Sequence, residues 1–342
     1  MIEKDATILK QYTGPLSRSI QDEYAISPEH YRGDVKLGLR NSDGTGVLVG
    51  VSRVGSVQGY LLQDGQRVPI PGQLYYRGIE LTDIVEAHRR AGTFGFEEVA
   101  YLLLMGYLPS KSELVYFDKI MNQARKLPEG FTEGMIMRHP SRSIMNELAR
   151  SVLSLYSYDP DPDNTSIDNM LLQSVKLIGY FPSIVANAYA MQRHYFHGDS
   201  LHIHYPVPEL STAENFLRMM RPDKSYTDEE AHLLDMMLMV HAEHGGGNNS
   251  TFVCRAMSSS GTDTYSAIAG AVGSLKGPLH GAPTPRSWRC STTLRKMSIP
   301  MTTARSRITC ASCWTARPET APASCTAWAT RCIPSPIPGR CC

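Results

Sequence analysis

A chain of 342 residues with ordinary apolar content and a net charge of +1 is long enough to bury a large core as one or two domains, which excludes disorder throughout. The first twenty residues lack a basic segment followed by an apolar run and a small-residue cleavage site, and no apolar stretch reaches membrane-span length, so a soluble cytoplasmic protein is expected. The charge averages two unlike pieces: residues 282–342 hold nine of the 34 basic residues and one of the 33 acids, Glu319, leaving the tail at +8 and residues 1–281 at −7.

In chain order, residues 47–76 alternate and contain Gly and Pro turns suited to strands, with Asp64-Gly65 as a hairpin turn. Residues 79–109 predict two helices in a hairpin. Leu81, Ile84, Val85 and His88 share one face of the first, Gly92 stops it, and a second apolar run over 96–105 ends at Gly106. Residues 166–196 read as a long helical stretch interrupted at Pro182. The capping-box spacing of Thr227 and Glu230 heads a helix that places Leu234, Met237, Leu238 and His241 on one face. Over 262–275 a small-residue helix, with Ala267, Ala269, Gly270, Ala271 and Gly273 permitting close backbone approach, is ended by Gly277-Pro278, so His280 falls just past a helix C-terminus. The class these elements predict is mainly α, with a small β element near the start.

Two segments combine chemistry-bearing residues with glycines: His241-Ala242-Glu243-His244-Gly245-Gly246-Gly247-Asn248 and Gly277-Pro278-Leu279-His280-Gly281. Singly, a His on an apolar helix face is a core residue and a Gly run is a helix stop. Together they place imidazoles at two helix ends, where polar groups can meet a substrate without breaking a hydrogen-bond ladder.

Tyr76-Arg77-Gly78, the helical residues 96–109, His244 to Asn248 and Gly277 to Gly281, in that order, resemble the landmarks of the citrate synthase family over residues 1–281. The resemblance implies a multi-helical citrate synthase large domain with a small N-terminal β element, a smaller domain missing or disordered, and a homodimer. It further implies condensation of oxaloacetate with the methyl carbon of acetyl-CoA, with the acyl-CoA as substrate and neither cofactor nor metal. In that family an Asp takes a methyl proton, one His stabilises the enol and a second His polarises the ketone. His280 matches the enol-stabilising His, a role in which a donor aimed at developing oxyanion charge lowers a barrier by about 3–4 kcal/mol. His244 and Asn248 match positions that contact oxaloacetate. His241, one turn before His244, is a supporting residue that orients that ring or fills core space, with core preferred, and Glu243 matches no catalytic carboxylate. The motifs do not read acyl length, so 2-methylcitrate synthase acting on propionyl-CoA is the alternative. A non-catalytic dicarboxylate-binding or dimerisation partner is the alternative from another class.

The Asp base, the ketone-polarising His and the citrate-binding Arg residues belong after Gly281, where the pattern is lost. All three Trp and seven of the eight Cys lie there, while Tyr, Phe, Val and Asp are absent. No period of 2 or 3.6 survives. Read one base along, the codons permitted for residues 322–342 allow the family's Gly-His-x-Val and Asp-Pro-Arg motif in its spacing, with Met-Gly emerging from Ala327-Trp328-Ala329. The expectation is a base missing after His280, through a sequencing or assembly error or a genuinely frameshifted gene, so that residues 282–342 are out of frame, without a native fold, and the chain as written is without synthase activity. Cys310 and Cys313 have the spacing of a zinc half-site, but Cys325, Cys332, Cys341 and Cys342 form no second regular pair, so no metal is expected. The basic tail lacks the Tyr and Phe of a nucleic-acid arm, so no nucleic-acid partner is expected either.

Overall fold

The computed structural model describes residues 52–277 apart from Gly65. His280, the Cys310 and Cys313 pair and the rest of the tail lie outside the described residues, as do residues 1–51.

The chain enters a three-stranded antiparallel sheet. Strands β1 (Gly55–Gln63) and β2 (Gln66–Tyr76) pair with Gln63 opposite Gln66, and Asp64 takes the left-handed φ of 53° expected at the predicted turn. The register slips between Gln58 and Tyr60, where the β2 segment containing Pro71 bulges. Proline has no N–H to give the ladder, so a bulge is where a strand can hold it. A second tight turn joins β2 to β3 (Ile79–Glu80), with Tyr76 opposite Ile79 and positive φ at both Arg77 (50°) and Gly78 (88°). Two positive φ values match the turn that follows the sheet's own twist. Ile79, read from sequence as helical, is thus a strand residue, and the first helix begins two residues later.

Helices α1 (Leu81–Ala91) and α2 (Phe96–Met105) end at Gly92 and Gly106, both left-handed, as the sequence predicts. Ser110 and Glu113 form a capping box for α3 (Lys111–Ala124), and a π-helical turn (Thr132–Met137) precedes α4 (Ile144–Leu155). Next comes α5 (Ile167–His197), a single helix of 31 residues that runs through Pro182, so the expected interruption does not occur. One missing N–H costs one helix bond. Burial on both sides of it, at Val175, Leu177, Ile184 and Ala188, holds the helix together.

The remaining helices are α6 (Thr212–Met220), α7 (Asp228–His241), α8 (Asn249–Ser258) and α9 (Thr264–Leu275). The Thr227–Glu230 capping box of α7 forms as predicted. Its buried face, however, is Ala231, Asp235 and Met239, while Met237 is 49% exposed. The predicted close approach of α9 is found at Gly270, where a Cβ would meet Met257 Sδ of α8; Gly273 faces open space.

Three apolar clusters organise these elements. One packs α4, α5 and α9 around Val152, Ile184 and Tyr265; one packs the sheet, α1, α2 and α7 around Tyr76, Leu102 and Met239; one packs α2, α3 and α5 around Tyr101, Phe117 and Met121. Between α2, α3 and α6 lies a buried ion pair. Glu97 Oε1 accepts from Arg125 (2.8 Å) and from the N–H and hydroxyl of Thr212 (2.8 Å each). No helix among the described residues is long and apolar enough to cross a membrane.

Candidate functional site

The His244 loop is built from the ends of two helices. Helix α7 stops at His241 with Ala242 as its C-cap, the chain turns through left-handed Gly245 (φ 75°), and Asn248 starts α8. His244 is exposed between a helix C-terminus and a helix N-terminus, and the positive end of α8 suits an anionic ligand.

Asn248 holds this turn through both ends of its amide. Its Oδ1 accepts from the Thr251 N–H (2.9 Å), the Thr251 hydroxyl (3.0 Å) and the Ser250 hydroxyl (2.6 Å), and its Nδ2 donates to the Gly245 carbonyl (2.9 Å). The same residue that the family resemblance assigns to substrate is therefore an N-cap. His241 is exposed, with its Nδ1 2.7 Å from the Met237 carbonyl one turn back, which corrects the expectation that it fills core space. Its helix turns Met239, and not His241, toward the sheet.

The base of the β-hairpin closes over the loop. The Tyr76 hydroxyl, on a fully buried ring, accepts the Glu243 N–H at 3.2 Å and donates to the Met239 carbonyl at 2.9 Å. The carbonyls of Glu243 (3.1 Å) and Val240 (3.2 Å) are within reach of the same proton. These are the orphaned acceptors of a helix C-terminus, so Tyr76 does from the sheet what a local C-cap would do. Arg77, next in the motif, turns the other way and donates from Nε (3.1 Å) and one terminal nitrogen (2.6 Å) to the Leu103 carbonyl at the end of α2. Two adjacent residues thus secure two helix C-termini. The sequence marks Tyr76-Arg77-Gly78 as a landmark but assigns it no task.

Strand β1 approaches the loop closely. A Cβ at Gly55 would lie 2.5 Å from Glu243 Cγ, and one at Gly245 would lie 3.2 Å from Val57 Cγ2. At the hairpin base is a cavity of about 250 Å³ lined by Ser52 to Ser56, Gln58, Tyr75 and Gly78. A second, of about 360 Å³, lies between α2, α3 and the start of α6, with Glu97, Glu98, Asp118, Glu209, Glu214 and Arg125 in its wall. Neither cavity is lined by His241, His244 or Asn248. Among the described residues no group of three or more His, Cys, Asp or Glu side chains is placed to hold a metal ion.

Comparison with known proteins gives a consistent result. The family model for the citrate synthase C-terminal domain matches residues 43–302, beginning later than the sequence resemblance and running past Gly281. The citrate synthase of Heyndrickxia coagulans is 32% identical over 189 residues, covering 55% of this chain and 48% of that protein. The 2-methylcitrate synthase 1 of Corynebacterium glutamicum is 34% identical over 219 residues, covering 63% and 54%. A solved ternary complex of citrate synthase from the thermophilic archaeon Thermoplasma acidophilum with carboxymethyl coenzyme A and oxaloacetate is similar at a TM-score of 0.54 and 26% identity, covering 68% of this chain and 55% of that one. The chain spans about half the length of the curated relatives it matches.

Proposed function

Because the chain belongs to the citrate synthase family, we propose that residues 1–281 form its large domain and carry the oxaloacetate-contacting part of a site that condenses acetyl-CoA with oxaloacetate to give citrate and CoA. The observation that carries this reading is the α7–glycine–α8 turn, which places His244 between the end of one helix and the start of the next in a chain that continues to Gly277-Pro278-Leu279-His280. In this reading His244 and Asn248 meet the dicarboxylate, His241 supports them from the preceding turn, and His280 donates to the enol oxygen. Support for the ligands comes from the archaeal relative, whose complex contains oxaloacetate and a CoA derivative. The protein would act in the cytoplasm as a homodimer, without a cofactor.

Residues 282–342 are, in the same proposal, an out-of-frame tail, so the chain as written lacks the Asp base, the second His and the Arg ligands. The support is the compositional break at Gly281 and the motif recovered one base along. Mixed with acetyl-CoA and oxaloacetate, the chain as written should release no free CoA above background, and a frame-corrected version should release it. Clear turnover by the chain as written would show the missing base to be dispensable, and an intact in-frame gene for the tail as written would refute the missing-base account. A frame-corrected protein silent with every thioester would refute the enzymatic reading.

A second reading rests on the 2-methylcitrate synthase relative, which at 34% identity is as similar to this chain as the citrate synthase at 32%. Propionyl-CoA outpacing acetyl-CoA on the corrected protein selects it.

A further inference from the structure

We propose that Tyr76 is a positioning residue for the His244 loop, presenting His244 and Asn248 to the dicarboxylate by fixing the end of α7 from the sheet. This rests on the oxaloacetate reading above.

The geometry is specific to the hydroxyl. The ring is fully buried among Leu81, Val99, Leu102 and Met239, so packing accounts for the ring and leaves the oxygen unexplained. That oxygen meets the α7 terminus: the carbonyl of Met239, with those of Val240 and Glu243 near, and the N–H of Glu243, the residue immediately before His244. From Glu243 the chain has three successive glycines before the Asn248 cap, and glycine is the residue that least restrains a backbone. A loop of that composition needs an external anchor to hold one conformation, because ordering a glycine costs more conformational entropy than ordering any other residue. Two contacts supply it from the same hairpin: the Tyr76 hydroxyl at Glu243, and strand β1, which at Gly55 comes so close to the Glu243 side chain that a methyl group would not fit. Asn248 fastens the far end.

Two variants of the full chain test this. Tyr76→Phe removes the oxygen and keeps the ring. Gly55→Ala leaves Tyr76 intact but forces Glu243 aside, and serves if the first does not fold. In each, amide hydrogen exchange over residues 242–248 should rise about tenfold, with the amides of α4, α5 and α9 unchanged. Calorimetric titration with oxaloacetate should show binding roughly threefold to tenfold weaker than in the parent chain. A merely structural role would raise exchange across the core as a whole and would overturn the inference, as would unchanged exchange at 242–248. Raised loop exchange with unaltered oxaloacetate affinity would overturn it too. If the loop amides respond while the parent chain gives no heat with oxaloacetate, Tyr76 still orders the loop and the oxaloacetate reading is what fails.

Discussion

The carboxylate of Asp235 accepts the backbone N–H of Gly95 at 2.7 Å, across 140 residues of chain. It also accepts the Phe96 N–H at 3.2 Å. Gly95 is the N-cap of α2 and has no side chain with which to cap it, so α7 provides the acceptor from a distance. The approach is tight: a Cβ at Gly95 would lie 2.5 Å from both His88 Cδ2 and Met239 Sδ. Burial raises the Asp235 carboxyl above its usual range, and the two N–H bonds and nearby His88 oppose that shift.

Replacing Asp235 by Ala leaves two N–H groups at a buried helix end without an acceptor. The expected loss is about 2–3 kcal/mol, read from the urea midpoint. Asp235→Asn, which keeps an acceptor, should lose less. An unshifted midpoint in the Ala variant would mean that water reaches α2's first turn.

The Arg125–Glu97 pair predicts strong non-additivity. Arg125 is 4% exposed and Glu97 7%, and burial pulls the guanidinium pKa down against the opposing charges of Glu97, Asp118 and Glu214. Arg125→Met strands a buried carboxylate and should cost about 3–5 kcal/mol. Adding Glu97→Gln removes that charge yet keeps an acceptor for Thr212, so the double variant should be more stable than Arg125→Met alone. Denaturant titration of the four-member cycle gives the coupling directly.

Local chemistry was legible in the sequence where it was decisive. Gly92 and Gly106 ended α1 and α2 because both need positive φ, and the Thr227–Glu230 box started α7 for the reciprocal hydrogen bonds that define it. What sequence spacing could not report is a partner far along the chain. Asp235 breaks the apolar pattern of α7, so the eye moves the buried face to Leu234 and Met237, although the acid is the buried residue because its acceptors serve Gly95 and Phe96. Pro182 signals a break by local rules, and the packing of its neighbours overrides them. At the site, the glycine run located the His244 loop, while the task of Tyr76 stayed hidden because its partners are backbone atoms up to 167 residues away.

Asn248 offers a way to separate architecture from substrate contact. Asn248→Ala loses the cap of α8 and should cost about 1 kcal/mol. Asn248→Asp retains an oxygen acceptor and places a negative charge at a helix N-terminus, so it should remain closer to the parent in stability. If the amide meets oxaloacetate, the same charge should weaken calorimetric binding by about tenfold or more through repulsion. Loss of affinity in Asn248→Ala but not in Asn248→Asp would leave Asn248 as a cap alone.

Ionisation of Asp118 is expected to cost this chain stability as the pH rises. Its side chain on α3 faces the 360 Å³ cavity shared with Glu97, Glu98, Glu209, Glu214 and Arg125, and its Oδ1 is buried without a hydrogen-bond partner among the described residues. Burial first, and the Glu97 charge second, raise its carboxyl from 3.8 to about 6, with Arg125 opposing. A folded-state pKa above the unfolded value means that its stabilising contribution is complete below pH 3.8 and is lost as the pH climbs through about 6. Asp118→Asn cannot ionise and should gain on the parent over that window, by about 1–2 kcal/mol at pH 7.5 once solvent screening of this half-buried group is allowed for. Urea midpoints for both proteins at pH 4, 5.5 and 7.5 measure the gap. A difference that widens with pH identifies the ionised Asp118 as the source of strain, whereas a constant offset would trace the effect to the shape of the amide and not to charge.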